Sequence, residues 1–517
     1  MPGMRRHLGL AALALAAAAA GAVLARTPWT AVDAGALRAA PSGDELRARV
    51  GGPKPTPAAT GRRIDGELPA GRGAAKLYLF QVPEDAVQVD VSLDGAGRDR
   101  DVEFRAASGA DVPERDGDWT WQSAQDGGPA KLSLTRYADD ELRPGPLLVE
   151  VRSAEGATRR GRGSLPFALS LDVTWLAAPR RVAPGASFDA ETAPEAGHRA
   201  DFVVDVPAGA KALRIDLVEA ERDLDLLASA RAPALDRDAA EWRAASPLAR
   251  ESLVLDPGSE PRFVAGRTLY FSVIDPSLYD APVRFRAAVT LAADPPPEAL
   301  ALPELPQPQD PRERAVAAVV EIVVEDGSGS GTLVRDDGLV LTARHVIGDH
   351  TGEAGDITVA IDLDPTQMTK DLFHAKVVAI DEGLDVALLQ ITSGLYGQAL
   401  PRGYRFPACP VAFGAPLRLG DPLYTVGFAE PGGTGSRSPV LFSQGVVAGF
   451  ERQRSGTRVK TDAVVASGSS GGAALDASYR LAGVPVFIVN ETEGTAQMGF
   501  LVAVGELPAE WQQRIRR

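Results

Sequence analysis

Apolar and polar side chains alternate along much of this chain, a period of two that predicts strands with one buried face. Val87, Val89, Val91 and Leu93 alternate in one stretch, and Leu213, Ile215 and Leu217 in another. The same landmarks flank both. Phe80-Gln81-Val82-Pro83 leads to Arg98-Asp99-Arg100-Asp101, and Val204-Asp205-Val206-Pro207 leads to Arg222-Asp223-Leu224-Asp225. Pro83 and Pro207, like Asp99 and Asp223, are 124 residues apart, so one unit occurs twice in unbroken register across this block. Each copy ends in paired strand stretches, 147–151 with 167–171 and 269–273 with 283–291. The pattern predicts two small antiparallel β-sandwiches, over residues 62–174 and 183–292. Trp119 and Trp121 read as core or edge residues of the first.

Two stretches break this rhythm. Residues 26–61, with Gly51-Gly52-Pro53-Lys54-Pro55-Thr56-Pro57, predict a flexible linker, and residues 293–311 a stiff Pro-rich one. A third unit is expected over residues 312–517. There 315–324 reads as a strand, Gly327-Ser328-Gly329-Ser330-Gly331 as a turn, and Thr332-Leu333-Val334 as the returning strand.

Composition narrows the class. A chain of 517 residues, 45% hydrophobic and 24% charged, has room for several soluble domains. Its formal charge of −15 would repel a phosphate backbone, which argues against nucleic acid as a partner. Residues 1–25 pair Arg5, Arg6 and His7 with an apolar run ending in Val23-Leu24-Ala25, which predicts a signal peptide and an extracytoplasmic location, periplasmic or secreted. The rival reading is an uncleaved membrane anchor. Cys409 is the chain's single cysteine, so no intramolecular disulfide forms, and it reads as a partly buried thiol.

Three elements in the last unit carry chemistry. His345 follows the apolar run Gly338-Leu339-Val340-Leu341-Thr342-Ala343, which would hold it at a cleft edge. Asp385 heads the apolar strand Val386-Ala387-Leu388-Leu389, where a carboxylate calls for a donor or a cation nearby, and Asp381 is the competing acid. Ser470 lies in Gly468-Ser469-Ser470-Gly471-Gly472, whose glycines allow a tight turn that aims backbone amides into one concavity. Gly468-x-Ser470-x-Gly472 also fits the nucleophile elbow of α/β-hydrolases. That fold, however, places its histidine after the serine, and no histidine follows Ser470. The order here is His, Asp, Ser, with spacings of 40 and 85 residues that leave room for two six-stranded barrels.

Residues 312–510 resemble the trypsin-like serine proteases, most closely the bacterial HtrA/Deg branch. The likeness lies in Gly329-Ser330-Gly331, Leu341-Thr342-Ala343-Arg344-His345-Val346, Asp385-Val386-Ala387-Leu388-Leu389, Gly420-Asp421 through Val426-Gly427, Thr461-Asp462-Ala463 and Gly468-Ser469-Ser470-Gly471-Gly472. The resemblance implies an all-β chain ending in a chymotrypsin-type double β-barrel. It implies Ser470 as nucleophile, His345 as general base and acid, Asp385 as the orienting carboxylate, and the amides of Gly468 and Ser470 as oxyanion hole. Proteins or peptides would be the substrates. A trypsin-fold scaffold without activity, binding partners through its sandwiches, is the alternative.

The chain departs from the family in three ways. No PDZ domain is expected after the protease region within these 517 residues, which leaves the oligomeric state open. Ser469 replaces the aspartate that precedes the nucleophile in trypsin-type zymogens, so activity should not depend on a freshly cut amino terminus. Val464 occupies the position where trypsin-type specificity needs an acid. Val464, Met498, Gly499 and Phe500 would then form an apolar specificity pocket, favouring small or medium aliphatic residues before the cut bond. The two upstream units resemble the bacterial pre-peptidase C-terminal domain. That family can bind calcium at the positions of Asp99, Asp101, Asp223 and Asp225, although solvated strand-end carboxylates are the simpler reading and no cofactor is expected.

Overall fold

The computed structural model describes residues 55–517 except 70–73, 96–101, 109–118, 123–129, 138–141, 154–163, 247, 249, 326, 354, 430–436, 438 and 490–497. The expected signal peptide, most of the first linker, Asp99 and Asp101 lie outside the described residues.

The alternating stretches pair into two units of the same design. In the first, one sheet runs in the order Ile64–Pro69, Ser164–Trp175, Ala86–Gly95, Ala130–Thr135. The other runs Thr56–Pro57, Ala75–Val82, Gly145–Ser153, Val102–Ser108, Trp121–Gln122. Phe80, Phe104 and Val149 of one sheet share a hydrophobic cluster with Val89, Val91 and Leu169 of the other, which is what strands with one apolar face must do to bury it. The second unit repeats both sheet orders around Phe202, Phe271, Leu213 and Ile215.

The repeat reaches further back than residues 62 and 183. Thr56–Pro57 pairs in parallel with Tyr78 and Leu79, and Arg180–Val182 pairs in parallel with Phe202–Val204. An edge strand of two or three residues is too short to show a period. The Pro-rich stretch 293–311 is also less of a spacer than its composition implies. Ala299 is buried beside Val218, Ala288 and Tyr396, Leu305 enters the core of the last unit, and Tyr404 Oη donates to Pro303 O at 2.5 Å.

Two local expectations fail at the start of the last unit. Pro311–Ala317 is an α-helix, and only Val319–Val324 is a strand. Asp310 caps that helix by accepting from Arg312 N and Glu313 N, with Pro311 in the first turn, a start signal that the following apolar run obscures. Gly327–Leu333 is a strand as well, paired with Val319–Val324. Its glycines make room for neighbours: a Cβ at Gly329 would lie 2.6 Å from Val346 Cγ2.

From there the chain closes two six-stranded barrels. The first runs Val319–Val324, Gly327–Leu333, Leu339–Ala343, Val386–Gly394, Lys370–Asp381, Thr358–Ile361. The second runs Pro422–Gly427, Leu441–Gln453, Gly456–Thr461, Met498–Ala503, Leu481–Val489, Ala473–Leu475. One cluster spans both, joining Val320, Ile322 and Leu388 of the first to Val426, Val484 and Val502 of the second, with Trp511 and Ile515 of the helix Ala509–Arg516. The barrels therefore meet along an apolar seam. Among the described residues no helix is long and apolar enough to cross a membrane.

Candidate active site

The polar groups of interest lie where this seam opens. Strand Leu339–Ala343 ends in the one-turn helix Arg344–Ile347, whose buried Val346 and Ile347 anchor it and leave the His345 side chain 46% exposed. Strand Val386–Gly394 lies beside Leu339–Ala343, pairing Ala343 with Val386, so Asp385 meets the turn that carries the histidine. Arg344 N donates to Asp385 O at 3.1 Å, and His345 N to Asp385 Oδ1 at 3.0 Å. His345 Nδ1 lies 2.7 Å from Asp385 Oδ2. A carboxylate can only accept, so this contact places the ring proton on Nδ1 and leaves Nε2 as the basic nitrogen. Asp385 holds this geometry with φ of 60°, the left-handed region that a side chain enters at a cost. Asp381 is otherwise engaged: its Oδ1 accepts from Leu384 N at 2.9 Å, closing the turn that presents Asp385.

The serine comes from the second barrel. Gly468 and Gly471, on either side of Ser469 and Ser470, both have positive φ, 85° and 84°. Neither could carry a side chain. A Cβ would meet Phe428 O at 2.2 Å from Gly468, and Ser330 O at 2.1 Å and Ala343 N at 2.8 Å from Gly471. The second clash shows how near the serine turn comes to the histidine turn. Ser330, buried on the first barrel, joins the two: its N donates to Ser470 O at 2.8 Å, its Oγ to Gly468 O at 2.7 Å, and its own O accepts from Thr342 Oγ1 at 2.6 Å. Phe428 N donates to the same Oγ at 2.8 Å. The motif Gly329-Ser330-Gly331 was legible, but these contacts cross between barrels and have no local signal.

Among the described residues, the amides of Gly468 and Ser470 have no hydrogen-bond acceptor, leaving both donors free. No hydrogen bond joins Ser470 Oγ to His345 there either. The imidazole–carboxylate pair is hydrogen-bonded, and the serine hydroxyl is not joined to it. Ser469 is committed within its loop, its Oγ accepting from Ala466 N at 3.2 Å. Asp462 accepts from Val446 N at 2.7 Å and serves as a bracket.

The expected pocket residues fall on two faces. Alternation puts Met498 and Phe500 on one side of their strand and Gly499 on the other, where a Cβ would lie 2.5 Å from Val465 Cγ2. Gly499 therefore does not share a wall with them. Val464 is 49% exposed, with its backbone held by Ser443 Oγ and Thr425 Oγ1. Cys409 is buried, which pushes its thiol up to about 12 and leaves it inert.

A second polar cluster lies in the repeat unit. Asp223, Asp225 and Glu251 bring carboxylate oxygens within 4.8 Å of one another. Glu251 is 26 residues from Asp225 in sequence, and nothing local ties it to the Asp-x-Asp motif. Tyr137 of the first unit donates to Asp225 Oδ2, and the charge of Arg437, which pairs with Glu321 and Asp371 of the barrels, acts on Asp223. Asp223 Oδ1 is buried without a hydrogen-bond partner. That orphan and the oxygen-only donor set fit a hard cation such as calcium.

Burial, reinforced by the neighbouring carboxylates, raises these three groups, Asp223 to about 8, Asp225 to about 6 and Glu251 to about 7. Folding thus favours their protonated forms. That contribution is complete below the ordinary carboxylate range and is lost as pH rises through about 6 to about 8. In metal-free buffer the melting temperature should fall from about pH 5 to about pH 8, and Asp223→Asn should flatten the slope by stabilising the alkaline end. An identical slope in the variant would contradict this. For Ser330→Ala, which strips Gly468 O and Phe428 N of a buried partner, denaturant unfolding should show a loss of about 1–3 kcal/mol. No measurable change would mean that Ser330 does not hold the seam.

Residues 329–484 match the family described as Trypsin-like peptidase domain. Protease Do-like 1, chloroplastic, of Arabidopsis thaliana is 29% identical over 201 residues, covering 37% of this chain and 40% of that protein. The probable periplasmic serine protease do/HhoA-like of Haemophilus influenzae is 31% identical over 179 residues, 34% of each chain. Periplasmic serine endoprotease DegP of Escherichia coli K12 is 28% identical over 180 residues, 34% of this chain and 33% of that one. The chain thus spans two fifths or less of the length of these relatives. A solved structure, the serine endoprotease from Yersinia pestis, is 24% identical with a TM-score of 0.30, covering 40% of this chain and 65% of that one, a likeness too loose to bear weight. The matched range 329–484 contains His345, Asp385 and Ser470.

Proposed function

We propose that this chain is an exported serine endopeptidase that cleaves proteins or peptides through an acyl-enzyme. One observation carries the reading: the His345–Asp385 pair, at 2.7 Å, sits beside a glycine-bounded serine turn inside a matching domain. Ser470 Oγ attacks the scissile carbonyl carbon as His345 Nε2 takes its proton. The carbonyl oxygen becomes an oxyanion and accepts from the free amides of Gly468 and Ser470, each such donor contributing about 2.7–4 kcal/mol. Asp385 keeps the Nδ1 proton in place and stabilises the imidazolium without taking that proton itself. Collapse of the intermediate expels the amine, protonated by His345, and leaves an ester on Ser470. Water, deprotonated by His345, then attacks the ester, and the second intermediate releases the acid as His345 returns that proton to Ser470 Oγ. Every proton is accounted for within these groups, so the reaction requires no cofactor, and calcium at Asp223, Asp225 and Glu251 would serve the accessory unit. Export is supported by the signal-like pattern of residues 1–25 and by relatives named as periplasmic or chloroplastic.

Hydrolysis of an unfolded protein such as casein tests the reading. Ser470→Ala and His345→Ala should each lower kcat by about a millionfold, and Asp385→Asn by about ten-thousandfold, with melting temperatures near wild type. No hydrolysis by the wild type would leave the scaffold alternative standing.

Specificity is assigned to Val464, Met498 and Phe500, apolar side chains none of which can pair a substrate cation. A peptide library should be cut mainly after small or medium aliphatic residues. Predominant cleavage after Arg or Lys would overturn this assignment.

A further inference from the structure

Arg458 has no place in the sequence motifs, and it is the most anomalous charge near the site. It lies on strand Gly456–Thr461 of the second barrel, in register with Val502, and is only 3% exposed. Its Nη2 donates to Gly383 O at 3.1 Å, to Leu384 O at 3.2 Å and to Ser455 Oγ at 3.4 Å. Those two carbonyls are the last before Asp385. Its Nε and Nη1 are buried with no hydrogen-bond partner among the described residues. Burial lowers the guanidinium pKa, against the carboxylates of Asp385, Glu506 and Asp381, which favour the charged form.

A buried cation with two idle donors is a poor way to add stability. An apolar side chain of similar volume commonly serves as well or better. What Arg458 does supply is a cross-seam grip on a strained turn. Asp385 has φ of 60°, and a conformation of that kind persists only when its surroundings over-determine it. Asp381 Oδ1 ties the turn within the first barrel through Leu384 N. Arg458 ties it to the second barrel, the one that carries Ser470. Its charge also acts on the Asp385 carboxylate, and a cation beside an imidazole–carboxylate pair opposes formation of the imidazolium.

We propose, on the peptidase reading above, that Arg458 is a positioning residue. It holds the 383–385 turn from the opposite barrel so that the Asp385 carboxylate stays aligned on His345 Nδ1.

The test uses the full chain with Arg458→Met, which keeps bulk but neither charge nor donors, and Arg458→Lys, which keeps the charge. Arg458→Gln replaces the methionine variant if that one does not fold. The first readout is the downfield proton NMR signal of His345 Nδ1–H, which needs no activity; the second is the pH profile of kcat/KM. The neutral variant should lose or shift the signal, lower kcat about 10- to 100-fold with KM within about twofold, and move the acid limb to higher pH. The lysine variant should keep the wild-type acid limb and recover part of kcat. A folded neutral variant with wild-type signal, kcat and acid limb would overturn the proposal. So would equal losses of melting temperature in both variants with signal and acid limb unchanged. If the wild type gives the signal but hydrolyses nothing, the peptidase reading fails, and the signal in the variants alone decides the positioning role.

Discussion

The contact between His345 Nδ1 and Asp385 Oδ2 depends on more of the molecule than any other. Both residues sit at the ends of adjacent strands, and the pairing of Ala343 with Val386 sets the distance between them. The carboxylate reaches the ring only because its backbone occupies a left-handed conformation, which the local chain would not choose unaided. Holding that conformation takes Asp381 from the same turn and Arg458 from across the seam. The pair is thus the visible end of a constraint that runs through both barrels.

The seam divides its labour by polarity. Its interior is aliphatic, Val320, Ile322 and Leu388 against Val426, Val484 and Val502, and this non-directional burial brings the barrels together. Its mouth is polar and directional. Ser330 is the plainest case: one buried residue whose three polar groups fasten the serine turn, Phe428 and the strand leading to His345. Apolar contact alone would let the barrels slide by an ångström, and a misplacement of that size can cost about a hundredfold in rate. Hydrogen bonds with buried partners resist such sliding because breaking one leaves an unsatisfied group.

The sequence showed what is local and hid what is shared between distant segments. His345, Asp385 and Ser470 were legible together, through their order and the family motifs around them; each alone also fits a structural residue. The helix Pro311–Ala317 was hidden by the apolar residues that continue past it, although Asp310 and Pro311 mark its start. Gly327–Leu333 looked like a turn because glycine often means flexibility, whereas here it means crowding under Val346. The grip of Arg458 and the meeting of Glu251 with Asp223 and Asp225 depend on which strands end up adjacent, and no run of residues encodes that by itself. The Pro-rich stretch 293–311 likewise reveals its buried Ala299 and Leu305 only once the surfaces on either side exist.

The proposed activity requires two turns from different barrels to converge on one reactive hydroxyl. Mass-spectrometric peptide mapping after treatment with a fluorophosphonate measures this most directly, because only an activated serine beside a general base is phosphonylated rapidly. A single adduct is expected on Ser470 of the wild-type protein and none on His345→Ala under the same conditions. An adduct on Ser469 or on another serine, or equal labelling without the imidazole, would contradict it.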